Sequence, residues 1–141
     1  VLPPGQHHDA ATDHLIIAGG NGPATTPDTV PGLVNGSATP ASLTLAAGRL
    51  NRLRLISIDP DHRIVFTLLR DSTVVGWKAL AKDGADLPPS LIADHRAEVM
   101  TGPGETADFG YTPKPGEVLT LRVSAPFADR PWTRTLLLKA P

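Results

Sequence analysis

The segment 117–125, EVLTLRVSA, has the clearest pattern in the chain. Apolar residues occupy every second position from Leu119 to Ala125, and polar residues stand between them. Because successive side chains of an extended strand point to opposite faces, this alternation predicts a strand with one buried face and one wet face. The segment 50–58, LNRLRLISI, repeats the pattern with Arg52 and Arg54 on the wet side.

Further strands are expected on both sides of these two segments. Seven more segments are predicted to be strands: 12–18, 42–45, 64–69, 73–80, 96–100, 106–112 and 132–139, while 33–36 is a short segment that follows a loop. We expect 64–69 and 73–80 to form a hairpin joined by 70–72. A single turn of helix could be accommodated within 79–86. Short strands at a spacing of roughly 8 to 12 residues, with hardly any helical period, predict an all-β sandwich or barrel.

The length of 141 residues predicts one domain, which we place at 12–141. Residues 1–11 lack periodicity and are predicted to be a linker or lead-in. Proline and glycine, 15 and 13 residues, separate the apolar runs instead of forming a tract, as in a protein with many short turns. The chain begins without Met, as a mature product or an excised fragment would.

Composition excludes several classes of site. The net charge is −1, with 13 basic and 14 acidic residues, so no nucleic-acid or anionic membrane partner is expected. No apolar run approaches the roughly 20 residues that a membrane helix needs. The chain has no cysteine, which excludes disulfides, thiol catalysis and a cysteine-ligated copper site.

Residues with metal or acid–base chemistry are present but show no motif. A metal site would need two or three of the histidines to lie close together. Only His7 and His8 are adjacent in the sequence. The histidines are His7, His8, His14, His62 and His95. A hydrolase could use a pair of carboxylates, but the spacing of the acidic residues selects no pair. Turn formation is therefore the preferred interpretation of these residues. These are Asp59, Asp61, Asp71, Asp83, Asp86 and Asp94.

Other candidate motifs favour structural roles. No serine lies in a nucleophile elbow. Trp77 and Trp132 lie inside predicted strands, which favours packing over sugar stacking. Asn35, in Asn-Gly-Ser, matches a glycosylation acceptor, although a turn is the preferred reason for it.

Three blocks of sequence follow one another along the chain. The first is LVNG at 33–36 with LTLAAGRLNRLRLI at 43–56, the second is VGWKALAKDGADLP at 75–88, and the third is GPGETADF at 102–109. Together they resemble the second cupredoxin domain of multicopper oxidases. That domain has an Asn-Gly turn, an Arg-Leu-Arg-Leu-Ile strand, a strand ending in Asp-Gly and Pro, and a Gly-Glu-x-x-Asp segment, in this order.

The resemblance, over roughly 33–123, implies a cupredoxin-like Greek-key β-sandwich. Copper ligands of such oxidases lie in the first and last domains, in His-x-His and His-Cys-His motifs, and neither motif occurs here. The resemblance therefore implies a middle domain with no catalytic, cofactor-binding or metal-ligating residue of its own. It would orient copper-bearing neighbour domains of the same polypeptide, which together couple four one-electron oxidations to the reduction of dioxygen outside the cytoplasm.

Two other functions remain open at this point. One is a standalone secreted binding module that uses the loops at 25–31 and 83–94 to contact a protein or carbohydrate. The other is a small metalloenzyme, which requires distant histidines to meet without any motif.

Overall fold

A computed structural model describes residues 8–20 and 32–141 of the chain, which form two packed β-sheets. The first seven residues of the predicted lead-in and the predicted loop at 25–31 lie outside this part. The described residues contain one short 3-10 turn, Pro89–Leu91, and no helix long and apolar enough to cross a membrane. The predicted all-β class is confirmed.

Thirteen strands follow one another along the described residues. They are β1 (Asp13–Gly19), β2 (Leu33–Val34), β3 (Leu43–Thr44), β4 (Asn51–Ser57), β5 (Ile64–Arg70), β6 (Thr73–Val74), β7 (Gly76–Lys82), β8 (Ala85–Asp86), β9 (Asp94–Arg96), β10 (Glu98–Thr101), β11 (Thr106–Tyr111), β12 (Val118–Ala125) and β13 (Trp132–Lys139).

The strands divide between two mixed sheets. The first sheet has the order β2-β1-β4-β11-β7-β8, and β9 also pairs with β7. The second has the order β10-β5-β12-β13-β3, and β6 also pairs with β5. Two pairs, β1 with β4 and β3 with β13, are parallel, and the other pairs are antiparallel.

The core lies between the two sheets, and the alternating strands supply much of it. Along β12 every second side chain from Leu119 is buried, and β4 likewise buries Leu53 and Leu55 completely. Because β12 lies between β5 and β13, its inward side chains are packed on three sides. Trp77 stacks on Phe109 with ring centroids 4.0 Å apart. The predicted packing role of the tryptophans is confirmed, since Trp132 is also only 5% exposed.

The predicted hairpin of 64–69 with 73–80 is wrong for most of its second arm. Strand β6 pairs with β5 only through Thr73 and Val74, and the chain then crosses to the other sheet as β7. The residue at the crossing is Val75, whose N–H donates to the carbonyl of Leu68 at 3.1 Å. The run 73–80 is rich in β-branched and aromatic residues, which predicts one strand, and the isolated Gly76 beside Val75 is the local sign of the interruption.

A second crossing lies beside the first. The predicted strand 96–100 is two strands, β9 and β10, in different sheets, and the fully buried Ala97 joins them. Ala97 N–H donates to the carbonyl of Val75 at 2.8 Å, and Leu68 N–H donates to the carbonyl of Ala97 at 2.9 Å. The two crossings and β5 are therefore joined by backbone hydrogen bonds.

The segment 79–86 forms a hairpin and not a turn of helix. Strand β7 continues to Lys82, and Asp83 and Gly84 then take positive φ angles of 49° and 81° before β8 begins. Asp-Gly at two positive φ positions is the preferred two-residue hairpin turn because its twist matches that of the strands. The structure thus agrees with the turn interpretation of Asp83.

Candidate functional site

The described histidines lie apart from one another. His8 is exposed ahead of β1, and His95 is exposed on β9. His14 is buried on β1, where its Nε2 lies 3.1 Å from Oδ1 of Asn51. His7 lies outside the described residues. In the part of the chain that the structure describes, no three His, Asp or Glu side chains come together as a metal ion would require.

His62 pairs with a buried carboxylate. Oδ1 of Asp59 lies 3.1 Å from Nδ1 of His62 and accepts the backbone N–H groups of Asp61 and His62, while Oδ2 accepts the N–H of Gly20. Burial acts to raise the pKa of Asp59, but these donors outweigh it and hold the pKa below its ordinary value. The pair therefore closes the turn after β4.

Turn formation accounts for four of the six acidic candidates. Asp59 closes its turn as described, Asp61 lies within that turn, and Asp71 and Asp83 have positive φ angles of 54° and 49°. Asp86 and Asp94 lie instead in the short strands β8 and β9, so the turn interpretation is wrong for them.

The Asn-Gly-Ser segment forms a tight turn. Val34 N–H donates to the carbonyl of Ser37, while Asn35 and Gly36 have positive φ angles of 48° and 76°. The Asn35 side chain accepts the N–H of Ile17 at 2.8 Å and donates to the carbonyl of Leu15 at 3.2 Å. Its position is explained by this contact with β1, as the turn interpretation expects.

The outer face of the first sheet has a groove of about 740 Å³, which we call the outer groove. Its lining includes the following residues of β1, β4, β8 and β11: Leu15, Arg52, Arg54, Ile56, Asp86 and Asp108. Because β4 buries alternate side chains, both arginines lie on its outer face. Asp108 is directly opposite Arg54 in the antiparallel pairing of β11 with β4.

The charged side chains of the outer groove form a continuous set of ion pairs. Oδ2 of Asp108 lies 3.1 Å from Nη1 of Arg54 and 3.7 Å from Nη1 of Arg52. Arg52 also pairs with Asp86 at 3.0 Å, and Arg54 pairs with Asp13 at 3.6 Å. The predicted position of both arginines on the wet side of 50–58 is confirmed. The sequence analysis did not identify Asp108, although the alternation of 106–112 contained the signal.

Asp108 is the most buried charge of the outer groove, at 7% exposure. Burial raises the pKa of Asp108 above its ordinary value. Arg54 and Arg52 act to lower this pKa, while the carboxylates of Asp13 and Asp86 add to the increase. Its charged form is therefore incompletely compensated in the described structure.

A second polar cluster, which we call the clasp, joins the sheets at one end. Glu117 accepts from Nε of Arg70 at 2.6 Å, from the Tyr111 hydroxyl at 2.8 Å and from the N–H of Lys114 at 2.8 Å. Arg70 belongs to β5 of the second sheet and Tyr111 to β11 of the first. Burial acts to raise the pKa of Glu117, but its donors outweigh this and lower the pKa.

Comparison with known proteins identifies the architecture. No protein-family model and no curated protein matches the chain. The McoA multicopper oxidase 2F4 variant from the hyperthermophile Aquifex aeolicus superimposes on 92% of the chain with a TM-score of 0.70 at 14% identity. The chain has the fold of a multicopper oxidase domain. The predicted cupredoxin-like sandwich is thereby confirmed.

Two further multicopper oxidases have the same domain fold. A laccase-like multicopper oxidase, CueO, from the lignin-degrading bacterium Ochrobactrum sp. matches 97% of the chain with a TM-score of 0.70 at 15% identity. Another multicopper oxidase matches 94% with a TM-score of 0.63 at 16% identity. The chain spans 32% of McoA, 32% of CueO and 45% of the third oxidase.

Proposed function

We propose that this chain is the middle, copper-free cupredoxin domain of a multicopper oxidase, which spaces and orients copper-bearing cupredoxin domains of the same polypeptide. The parent enzyme would oxidise its substrate with copper and reduce dioxygen. The observation that carries the proposal is the fold match, in which nearly the whole chain corresponds to about one third of two such oxidases.

The side-chain inventory supports a role without copper. The chain has no cysteine, and its described residues contain no group of three metal-ligating side chains. Two of the described histidines already have structural contacts, His14 with Asn51 and His62 with Asp59, whereas His8 and His95 are exposed and lie apart. The charged outer groove and the clasp hold backbone strands together and contain no thiolate or imidazole for copper.

The proposal is tested first on the isolated chain. After copper loading and desalting, we expect the 141-residue chain to retain no stoichiometric copper and to oxidise no phenol. Substitution of both His7 and His8 by Ala is the control, because any weakly held copper lost in this variant belongs to the lead-in. Stoichiometric copper together with phenol oxidation by the chain alone would contradict the proposal.

The intact polypeptide provides the second test. We expect the protein encoded by the whole reading frame to bind copper, to absorb visible light and to oxidise phenols. We also propose an extracytoplasmic location, which cell fractionation of the native host would test. An intact polypeptide that contains no copper after loading would overturn the assignment to a copper oxidase.

A further inference from the structure

The outer groove has an excess of negative charge. Its lining contains two arginines, Arg52 and Arg54, against four carboxylates. The carboxylates are those of Asp83, Asp86, Glu105 and Asp108. Lys82 and Asp13 pair with lining residues from just outside and add one charge of each sign, so the excess of two negative charges is unchanged. A cationic occupant is favoured over an anionic one.

Asp108 has acceptor capacity that the described residues do not use. Both arginines contact its Oδ2, and its Oδ1 accepts no hydrogen bond from any of the described residues. The side chain is 10% exposed and lines the groove. A carboxylate in this position gains a charge-assisted hydrogen bond from an added cation without leaving its present partners.

The apolar part of the lining suits the stem of a long basic side chain. Leu15 is 49% exposed, and Ile56 lies beside it on the neighbouring strand at the same edge of the groove. Arginine and lysine bury their methylene groups along such surfaces while their charged ends remain at polar partners.

We propose that the outer groove binds an arginine or lysine side chain from an adjoining domain of the same polypeptide, so that the outer face of the first sheet is an interdomain docking surface. The nature of the partner rests on the proposed function, whereas the binding of a cation rests on the groove alone. The 32% coverage of two oxidases leaves most of their length as other chain, which can supply such a surface. The excess negative charge selects a basic side chain from that surface.

The first experiment titrates the isotope-labelled chain with N-acetyl-L-arginine N-methylamide at low salt and follows backbone amide resonances. We expect saturable shifts at Gly84, Gly104 and Asp108, which line the groove, and no such shifts with the matched glutamine derivative. Raising sodium chloride to about 0.5 M should weaken the binding, since exposed charges are screened at short distance.

Variants locate the binding to the groove. Asp108→Asn should weaken binding of the arginine derivative about five-fold, as expected for a partly exposed charge pair. Asp86→Asn should also weaken binding. It replaces Asp108→Asn as the test if that variant does not fold, because the Asp86 side chain is 43% exposed at the rim of the groove and its substitution disturbs the fold less. Asp129→Asn, an exposed position outside the groove lining, is the control and should bind normally. Equal binding by Asp108→Asn, Asp86→Asn and the control would overturn the site.

A final arm separates the occupant from the proposed function. In the intact polypeptide, amide hydrogen exchange over 104–108 should be slower than in the isolated chain, and Asp108→Asn should remove part of that protection. Unchanged exchange with normal binding of the arginine derivative would mean that the groove takes a free cation, which overturns the docking surface. Absence of copper from the intact polypeptide would overturn the oxidase assignment without altering the titration result.

Discussion

Substitution of Glu117 by Gln tests whether the clasp stabilises the contact between the sheets. The glutamate side chain is 7% exposed and uses both oxygens, Oε1 for Tyr111 and Arg70 and Oε2 for the N–H of Lys114. Glutamine has one acceptor oxygen and one NH₂ donor, so one donor of the cluster must face another donor. The variant therefore loses hydrogen bonds as well as a charge.

The size of the effect follows from the contacts. Hydrogen bonds to charged groups contribute about 1.5–3 kcal/mol each, and the contact with Arg70 is discounted because that side chain is 49% exposed. Glutamine cannot replace one of these hydrogen bonds, for which we take about 1.5 kcal/mol, and it weakens a second by a smaller amount. We therefore expect the free energy of unfolding to fall by about 2 kcal/mol. For a domain of this size the Tm should fall by about 6–8 °C.

The pH dependence gives an independent check by urea denaturation. Because the folded-state pKa of Glu117 is below the ordinary value of 4.5, its stabilisation is fully present above that value and is lost as the pH falls through the folded pKa. The difference between the native chain and Glu117→Gln should be constant near neutral pH and shrink in acid. Glu98→Gln, at a half-exposed carboxylate, is the matched control. A loss below about 0.5 kcal/mol, or one equal to the control's, would refute the role of the clasp.

Three further substitutions test the fold by thermal and urea unfolding. Asp59→Asn should lower the free energy of unfolding by about 1.5 kcal/mol at neutral pH. Because the folded-state pKa of Asp59 lies below its ordinary value of 3.8, this cost should shrink as the pH falls below 3.8, and a cost that persists in acid would contradict its charge dependence. Phe109→Ala removes the ring that stacks on Trp77 and should cost about 3–5 kcal/mol. Trp fluorescence should shift to the red because the indole loses its cover, and an unchanged spectrum would contradict the packing role. Gly84→Ala places a side chain at a φ of +81° and should lower the free energy of unfolding by about 1 kcal/mol. The control Gly102→Ala, where an added Cβ meets only ordinary contacts, should change it by less than about 0.5 kcal/mol, and equal costs would refute the backbone argument.

The alternating strands were predictable because a single local rule determines them. The patterns of 50–58 and 117–125 correctly assigned buried and exposed faces, as Leu53 and Leu121 illustrate. The local pattern of polar and apolar residues does not determine which strands pair with each other. The changes of sheet at Val75 and Ala97 were therefore not predicted. Val75 is followed by Gly76, and Ala97 lies between Arg96 and Glu98, but these local drops in β-propensity do not indicate that the chain changes sheet there.

The outer groove was only half predictable for the same reason. Alternation placed Arg52 and Arg54 on the exposed face of β4, but their carboxylate partners come from β1, β8 and β11. These strands are brought together by sheet order, with β1 parallel to β4 and β11 antiparallel to it. Asp108 thus acquires its burial and its neighbours from pairing that spans more than 50 positions of sequence.

The adjacent crossings at Val75 and Ala97 affect how the domain responds to mechanical load. In a sandwich held by side-chain packing alone, one sheet can slide over the other at modest cost. Here the segments at Val75 and Ala97, two of those that pass from sheet to sheet, hydrogen-bond to each other and to Leu68, so shear between the layers at this point must break backbone hydrogen bonds. Displacement of one sheet relative to the other is therefore resisted at these segments, as the spacer role that we propose would require.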